Sequence, residues 1–165
     1  MRPEDTARLR FREMVDSDLD VITDLLADPQ VMVYYPAPKT RAEAQDWIDW
    51  NKDNYVEYGF GLWIIETPDG IFVGDCGLTW QTVGGVRDLE VGYHVRADLQ
   101  GSGYATEAAL ACVALARLLG FQRLTANIDA ENLPSRRVAE KVGLPFERIV
   151  LNPRGKELSV HAAAL

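Results

Sequence analysis

The first third of the chain shows one strand pattern followed by two helix patterns. Residues 9–14 (LRFREM) alternate apolar and charged side chains, which is typical of a half-buried strand. The run Asp16-Ser17-Asp18 supplies N-cap chemistry for a helix that ends before Asp28-Pro29, because proline disfavours helical backbone at the preceding residue. The capping-box sequence Thr40-Arg41-Ala42-Glu43 predicts a second helix that reaches about Tyr58.

The middle of the chain shows three strand patterns separated by turn sequences. The two turns are Thr67-Pro68-Asp69-Gly70 and Val83-Gly84-Gly85, whose proline, aspartate and glycines favour tight reversals. The predicted strands cover Leu62–Glu66, Ile71–Trp80 and Leu89–Val95. Because both turns are short, we expect the three strands to pair as an antiparallel meander.

The last third predicts a helix, a strand, a second helix and a hairpin. Apolar residues at helical spacing predict the helix over Glu107–Leu119, and Asn132 is a suitable N-cap for the helix that runs to Lys141. The predicted strands are Leu124–Ile128, Phe146–Leu151 and Leu158–Ala162. The order β-α-α-β-β-β-α-β-α-β-β predicts a mixed α/β sheet in which one crossover helix joins two parallel strands. We expect residues 1–165 to form a single domain.

The composition argues against several classes of function. A formal net charge of −8 and a pI near 4.7 disfavour a surface that coats nucleic acid, because phosphate contacts need clustered Lys and Arg. No apolar run approaches the roughly 20 residues of a membrane helix, so we predict a cytoplasmic protein with neither nucleic-acid nor membrane partners. Cys76 and Cys112 lack CxxC spacing and the histidines are His94 and His161, so neither a disulfide nor a metal site is predicted.

The stretch LQGSGYATE (Leu99–Glu107) indicates a site for an anion. It places two glycines one residue apart before a helix, whose unsatisfied N–H groups and dipole attract an oxyanion. A P-loop is excluded, because no lysine occurs between Lys52 and Lys141. A dinucleotide fingerprint stays open: Thr106 stands where a third glycine or alanine should pack, but Asp129 lies near the distance expected for a ribose-binding acid. The glycines could also form a tight turn and nothing more.

One segment of this loop resembles a known family signature. Gln100-Gly101-Ser102-Gly103-Tyr104-Ala105 matches the Q/R-x-x-G-x-G/A pattern of the GNAT N-acetyltransferase superfamily. Other segments resemble the RimJ/RimL-like branch, which is related to ribosomal-protein N-terminal acetyltransferases. These segments are Asp28–Pro36, Glu90–Tyr93, Tyr104–Ala108 and Asn132–Leu144. The resemblance covers nearly the whole chain and implies the GNAT fold, a mixed central sheet of about seven strands flanked by about four helices.

The resemblance also implies that acetyl-CoA is the cosubstrate. The loop would bind its pyrophosphate mostly through backbone amides. The positions implied are Gln100, Gly101, Ser102, Gly103, Tyr104, Ala105 and Thr106. The strand that ends at Val95 would contact the pantetheine arm, and Asn132 and Ser135 would lie near the thioester. Asn132 is equally suited to cap its helix, and the two roles are compatible.

Acetyl transfer to an amine needs a base for the amine, donors for the oxyanion and an acid for the departing thiolate. The resemblance implies Glu90 as the base, directly or through water, and Asp88 and Glu66 stay open as substitutes because the sequence does not fix strand register. The tyrosine that many family members use as the acid is absent, since Ala139 occupies its place. Ser135 is therefore the implied candidate acid, with a plain helix or cofactor contact as its alternative role.

The strand before the loop carries further candidate groups. Main-chain N–H groups near Tyr93–Val95 are the natural donors to the thioester oxygen. Strand alternation places His94 on the face opposite to Tyr93 and Val95, which favours a structural role for it. Aromatic side chains could wall an acceptor site, although we expect most of them in the core or at an interface. They are Tyr34, Tyr35, Trp47, Trp50, Trp63, Trp80 and Tyr93.

The leading hypothesis is an acetyl-CoA-dependent GNAT N-acetyltransferase that acts on a primary amine. Candidate acceptors are a protein N-terminus, an amino acid, a polyamine and an amine-containing small molecule. A CoA-binding sensor or regulatory module without turnover is the alternative, and a nucleotide-binding protein comes third. The expected partners are acetyl-CoA and the amine, and a homodimer is left open.

Overall fold

The computed structural model describes residues 1–165 as one seven-stranded sheet with helices on both faces. The strands are β1 (Arg10–Arg12), β2 (Leu62–Glu66), β3 (Phe72–Val83), β4 (Val86–Val95), β5 (Arg123–Asp129), β6 (Phe146–Leu151) and β7 (Glu157–Ala164). The helices are α1 (Leu19–Ala27), α2 (Arg41–Tyr58), α3 (Tyr104–Leu118) and α4 (Leu133–Lys141). None of them is both long and apolar enough to cross a membrane.

The spatial order of the strands confirms the predicted fold class. The order is β1-β2-β3-β4-β5-β7-β6, and β4 with β5 is the one parallel pair. The β2-β3-β4 meander is antiparallel, and α3 is the crossover helix that joins β4 to β5. The protein therefore has the mixed α/β architecture of seven strands and four helices that the sequence predicted.

Each face of the sheet has its own apolar core. The larger core packs α3 and α4 against the centre of the sheet, and small buried residues of α3 such as Ala109 and Cys112 suit its packing on β3 and β4. The smaller core packs α1 and α2 against the opposite face. Successive side chains of a strand point to opposite faces, so each strand near the middle of the sheet contributes to both sides.

Several element boundaries differ from the predicted ones. The β3–β4 ladder continues to the pair Val83↔Val86, because Gly84 and Gly85 adopt positive φ values of 58° and 77° and reverse the chain in two residues. The crossover helix begins at Tyr104 rather than Glu107, so its first turn includes the end of the glycine loop. The predicted Thr40–Glu43 capping box is confirmed.

Strands β4 and β5 separate soon after they meet. Their ladder consists of the pair Glu90↔Thr125, and each strand then runs on for several residues without pairing to the other. A wedge-shaped gap consequently opens in the middle of the sheet, towards the C-terminal ends of both strands. The glycine loop follows β4 at this end, so the fold delivers it to the mouth of the gap.

Candidate active site

A cavity of about 690 Å³ occupies the gap between the two parallel strands. Glu90, Tyr93 and His94 of β4 line one wall, and Asn127 of β5 lines the other. Trp47 of α2 closes the side that the first two helices cover. The cavity passes through the sheet, because Glu90 and His94 point to one face and Tyr93 points to the other. Ligand sites of α/β proteins commonly lie at such a position, beyond the carboxyl ends of the strands.

The glycine loop presents a row of amides without partners. The N–H groups from Gly101 to Thr106 donate to no acceptor within the protein, and the first bond of this region runs from Glu107 N–H to Gly103 O at 3.0 Å. Gly101 and Gly103 have φ values of 76° and 86°, which side-chain-bearing residues rarely adopt. Such a row at a helix N-terminus is an anion-binding nest, and it fits a pyrophosphate group.

Arg8 braces this loop from outside, a role that the sequence did not reveal. Its Nη1 donates to Ser102 O at 2.9 Å, and its Nε donates to Glu107 at 2.6 Å. The guanidinium group also lies 4.5 Å from the centre of the Tyr104 ring. The hydrogen bond holds the Ser102 carbonyl group on the side of the loop that Arg8 occupies. No local pattern could indicate the contact, because it joins positions 94 or more residues apart.

The end of β4 directs backbone groups into the gap. Thr125 Oγ1 of β5 donates to Leu89 O, and Gln100 Nε2 donates to Val95 O. The backbone groups of the odd-numbered residues of β4 therefore point away from β3. Backbone groups of an extended strand point alternately to its two sides, which turns the N–H groups of Tyr93 and Val95 to the open side as well. The Gln100 side chain is thus hydrogen-bonded to the strand, so Gln100 would contact a ligand of the loop through its backbone rather than its side chain.

Glu90 is the titratable group at the narrow end of the gap. Its Oε2 accepts a short hydrogen bond from the Nδ2 of Asn127. Burial raises the pKa of Glu90 to about 7, and the bond from Asn127 opposes the increase. A carboxyl group with such a pKa exchanges a proton readily near neutral pH, as a general base must.

Glu66 and Asp88, the two alternative candidates for the base, form ion pairs away from the cavity. Glu66 pairs with Arg12 at 3.3 Å and Asp88 pairs with Arg123 at 3.2 Å, and neither residue lines the cavity. Asp129, which a dinucleotide site would need for its ribose, forms an ion pair with a lysine at 2.6 Å. Among the candidates raised for the base, Glu90 is therefore the one that faces the cavity.

Ser135 and Tyr93 meet on the other side of the gap. Asn132 Oδ1 accepts a hydrogen bond from Ser135 N–H at 3.2 Å, so Asn132 caps α4 as predicted. Ser135 Oγ donates to Tyr93 Oη at 3.1 Å, and that hydroxyl donates to Ser135 O at 2.8 Å. Burial raises the pKa of Tyr93 above its ordinary value, which keeps the phenol protonated. The Tyr93 hydroxyl is thus a second proton donor beside Ser135, one that the sequence analysis did not single out.

The aromatic candidates divide between the cavity and the core. Trp63 is buried against Tyr55, and Trp80 packs on Phe121. The others line the cavity: Tyr34, Tyr35, Trp47, Trp50 and Tyr93. His94 faces away from Tyr93, as alternation predicted, but it also lines the cavity, where it contacts Tyr35 and Asp75.

Comparisons with known proteins agree with this architecture. The profile of the Acetyltransferase (GNAT) domain family matches residues 8–145. The uncharacterized protein YkkB of Bacillus subtilis is 38% identical over 148 residues, which cover 88% of this chain and 86% of that protein. A GNAT-family acetyltransferase structure from Bordetella pertussis superposes with a TM-score of 0.85 at 24% identity, over 99% of this chain and 100% of its own.

A ribosomal-protein acetyltransferase shares the fold more distantly. RimL, the ribosomal L7/L12 alpha-N-protein acetyltransferase, was solved in complex with coenzyme A and superposes with a TM-score of 0.78. It is 14% identical over 98% of this chain and 97% of its own. The chain belongs to the GNAT acetyltransferase family, and the predicted cosubstrate, acetyl-CoA, agrees with that membership and with the open amides of the loop.

Proposed function

We propose that this chain is an acetyl-CoA-dependent N-acetyltransferase of the RimJ/RimL-like branch, which acetylates a primary amine by direct attack on the thioester. One observation carries the proposal. The unpartnered amides of residues 101–106 follow the end of β4, where Gln100 Nε2 donates to Val95 O, and Glu90 of the same strand lines the gap. A molecule held by its pyrophosphate at the loop can therefore extend an acyl group along the gap towards a carboxylate suited to act as a base.

Groups on the two sides of the gap supply the base, the oxyanion donors and the acid that the transfer needs. Glu90 takes the proton from the amine, directly or through one water, as the amine nitrogen bonds to the thioester carbon. The N–H groups of Tyr93 and Val95 stabilise the resulting oxyanion. When the carbon–sulfur bond breaks, Ser135 Oγ gives its proton to the sulfur and takes one back from solvent water, while Glu90 releases the amine proton to solvent. Tyr93 Oη, which accepts a hydrogen bond from Ser135 Oγ, holds the serine side chain in place.

The branch assignment rests on two local features. The Glu90–Tyr93 and Asn132–Ser135 sequences resemble the RimJ/RimL-like branch, and they meet through the Tyr93–Ser135 bond. RimL itself, with its bound coenzyme A, has the same fold. A protein N-terminus, an amino acid, a polyamine and an amine-containing small molecule remain the candidate acceptors. The single-domain organisation and the cytoplasmic location remain predictions, and a homodimer stays open.

A thiol-release assay tests the function. The purified protein is incubated with acetyl-CoA and, separately, a short peptide, a free amino acid, spermidine, an aminoglycoside and phenethylamine. We expect release of CoA thiol with at least one amine, together with an acetylated product by mass spectrometry. Glu90→Gln should lower kcat by about 100-fold or more, the usual contribution of a general base, whereas Glu66→Gln should retain activity because Glu66 lies outside the cavity.

Two other results would redirect the assignment. Binding of acetyl-CoA by calorimetry without thiol release from any amine would favour the CoA-binding sensor. Stronger thermal stabilisation by NAD than by acetyl-CoA at the same concentration would favour the nucleotide-binding protein, because the ligand that binds the folded state more tightly stabilises it more.

A further inference from the structure

A hydrogen-bonded chain of side chains runs from the interior of the sheet to the acceptor side of the cavity. Trp47 Nε1 bonds to Asp75 Oδ2 at 3.0 Å, and His94 Nδ1 bonds to Asp75 Oδ1 at 2.7 Å. His94 Nε2 then bonds to the hydroxyl of Tyr35 at 2.6 Å. The four residues come from α2, β3, β4 and the loop that connects α1 to α2. We call Asp75, His94 and Tyr35 the relay.

Donor chemistry gives each bond one direction when the His94 ring is neutral and Asp75 is a carboxylate. An indole N–H can only donate and an ionised carboxylate can only accept, so both Trp47 and His94 donate to Asp75. The proton of a neutral His94 ring therefore lies on Nδ1, and Nε2 accepts from Tyr35. The Tyr35 hydroxyl donates its one proton to His94, and its oxygen lone pairs are free to accept from a group in the cavity.

The surroundings hold this arrangement in one orientation. Asp75 is fully buried, with 0% of its surface exposed, so its charge is satisfied by the two donors alone. The His94 ring lies between Trp47 and Tyr35, with ring centres 5.8 and 5.5 Å away. Burial, together with the carboxylates of Asp75 and Glu90, raises the pKa of Tyr35 above its ordinary value, so the phenol stays neutral.

Glu90 and the relay act on the same side of the sheet. Glu90 and His94 are four residues apart on β4, so their side chains point to one face, and both line the cavity with Tyr35. A neutral primary amine has two N–H groups. One can serve Glu90 and the other can serve Tyr35 Oη, which leaves the nitrogen lone pair free to attack.

We propose that Tyr35 binds the acceptor amine through its hydroxyl oxygen, and that His94 and Asp75 are positioning residues that keep this oxygen an acceptor. The inference rests on the proposed function and adds a preference for primary over secondary amines. A neutral secondary amine has a single N–H group, so either Glu90 or Tyr35 would lack its partner. The relay thus contributes to specificity rather than only fastening the loop to the sheet.

The tautomer of His94 can be measured without any substrate. The chain has two histidines, so the spectrum of protein labelled with ¹⁵N-histidine contains only two rings. We expect His94 to carry its proton on Nδ1 in the wild type. In Asp75→Asn the amide would donate to Nδ1, move the ring proton to Nε2 and turn the Tyr35 proton towards the cavity. A wild-type His94 protonated on Nε2 at neutral pH would overturn the relay.

The kinetic test uses acetyl-CoA and the amine of highest kcat/KM in the panel. Loss of one hydrogen bond in Tyr35→Phe should raise KM for the amine by about threefold to tenfold, with KM for acetyl-CoA unchanged. Asp75→Asn should raise it at least as much, because the hydroxyl then presents a donor to an N–H group. Tyr58→Phe is the matched control, since the Tyr58 hydroxyl contacts Arg87 outside the cavity.

The N-methyl derivative of the same amine separates specificity from stability. The ratio of kcat/KM for the primary amine to that for its N-methyl derivative should fall by about threefold or more in Tyr35→Phe, a change that a looser loop would not produce. If Asp75→Asn does not fold, Tyr35→Phe carries the test alone. Transfer with unchanged amine KM and unchanged ratio in Tyr35→Phe would overturn this inference and leave the proposed function intact. Failure to acetylate any amine would refute both.

Discussion

Replacing Glu90 with glutamine should stabilise the protein at alkaline pH while it removes catalysis. Burial raises the pKa of Glu90 from its ordinary 4.5 to about 7, which means that the fold disfavours the charged carboxylate. Each unit of this pKa difference corresponds to about 1.4 kcal/mol, so ionising Glu90 destabilises the native state by about 3 kcal/mol. Glutamine has nearly the same shape and carries no charge.

The sign of the pH dependence follows from proton binding. Between pH 4.5 and about 7 the folded protein binds the Glu90 proton more tightly than the unfolded chain does. The contribution of Glu90 to the free energy of unfolding is therefore full below pH 4.5, falls through this window and is constant above it. Glu90→Gln lacks this loss. We expect it to exceed the wild type by less than about 1 kcal/mol at pH 5 and by about 2–3 kcal/mol at pH 8.5.

Urea unfolding followed by tryptophan fluorescence at pH 5, 6, 7 and 8.5 measures this difference. The buried Trp63 gives a probe of the core, and the comparison of two chains that differ at one site cancels the titration of every other group. A stability difference that stayed constant from pH 5 to 8.5 would show that Glu90 has an ordinary pKa in the fold. The assignment of Glu90 as a base poised near neutral pH would then fail.

Further predictions concern the base, the loop and the core. The kcat/KM of the wild type should rise with pH through about 7, because the base acts when ionised, and this limb should stay in place for amines of different pKa. Gly101→Ala, at a φ of 76°, should lose about 1 kcal/mol in urea unfolding and raise KM for acetyl-CoA, whereas an unchanged KM would mean that the loop does not hold the cosubstrate. Arg8→Ala should raise KM for acetyl-CoA and speed hydrogen exchange around Ser102, with less than about 1 kcal/mol lost because the ion pair of Arg8 is exposed. Asn51→Ala should lose about 1–3 kcal/mol by urea unfolding, because the buried Asn51 Oδ1 accepts from Leu62 N–H at 2.8 Å; a loss below 0.5 kcal/mol would indicate that water replaces it.

The parts that could be predicted from the sequence are those that depend on local patterns. Hydrophobic periodicity and caps gave the order of the elements, and the Thr40–Glu43 box and the Asn132 cap form as expected because each is complete within four residues. The glycine loop is equally local, and its free amides follow from two glycines ahead of a helix. Register is not local, so the sequence left Asp88 and Glu66 open as substitutes for Glu90, and the structure shows that Glu90 is the one of the three that lines the gap.

The sequence missed contacts that join distant parts of the chain. Tyr35 meets His94 across 59 positions, and the sequence around each gives no sign of the other. Alternation placed His94 on the face of β4 opposite to Tyr93 and favoured a structural role for it, but the divergence of β4 from β5 also makes His94 part of the cavity wall. Burying the Asp75 carboxylate costs desolvation free energy, even with two donors bound to it. An apolar contact would attach the loop to the sheet without that cost. The charge makes physical sense if the orientation of the Tyr35 hydroxyl matters, and that orientation is what the amine would encounter.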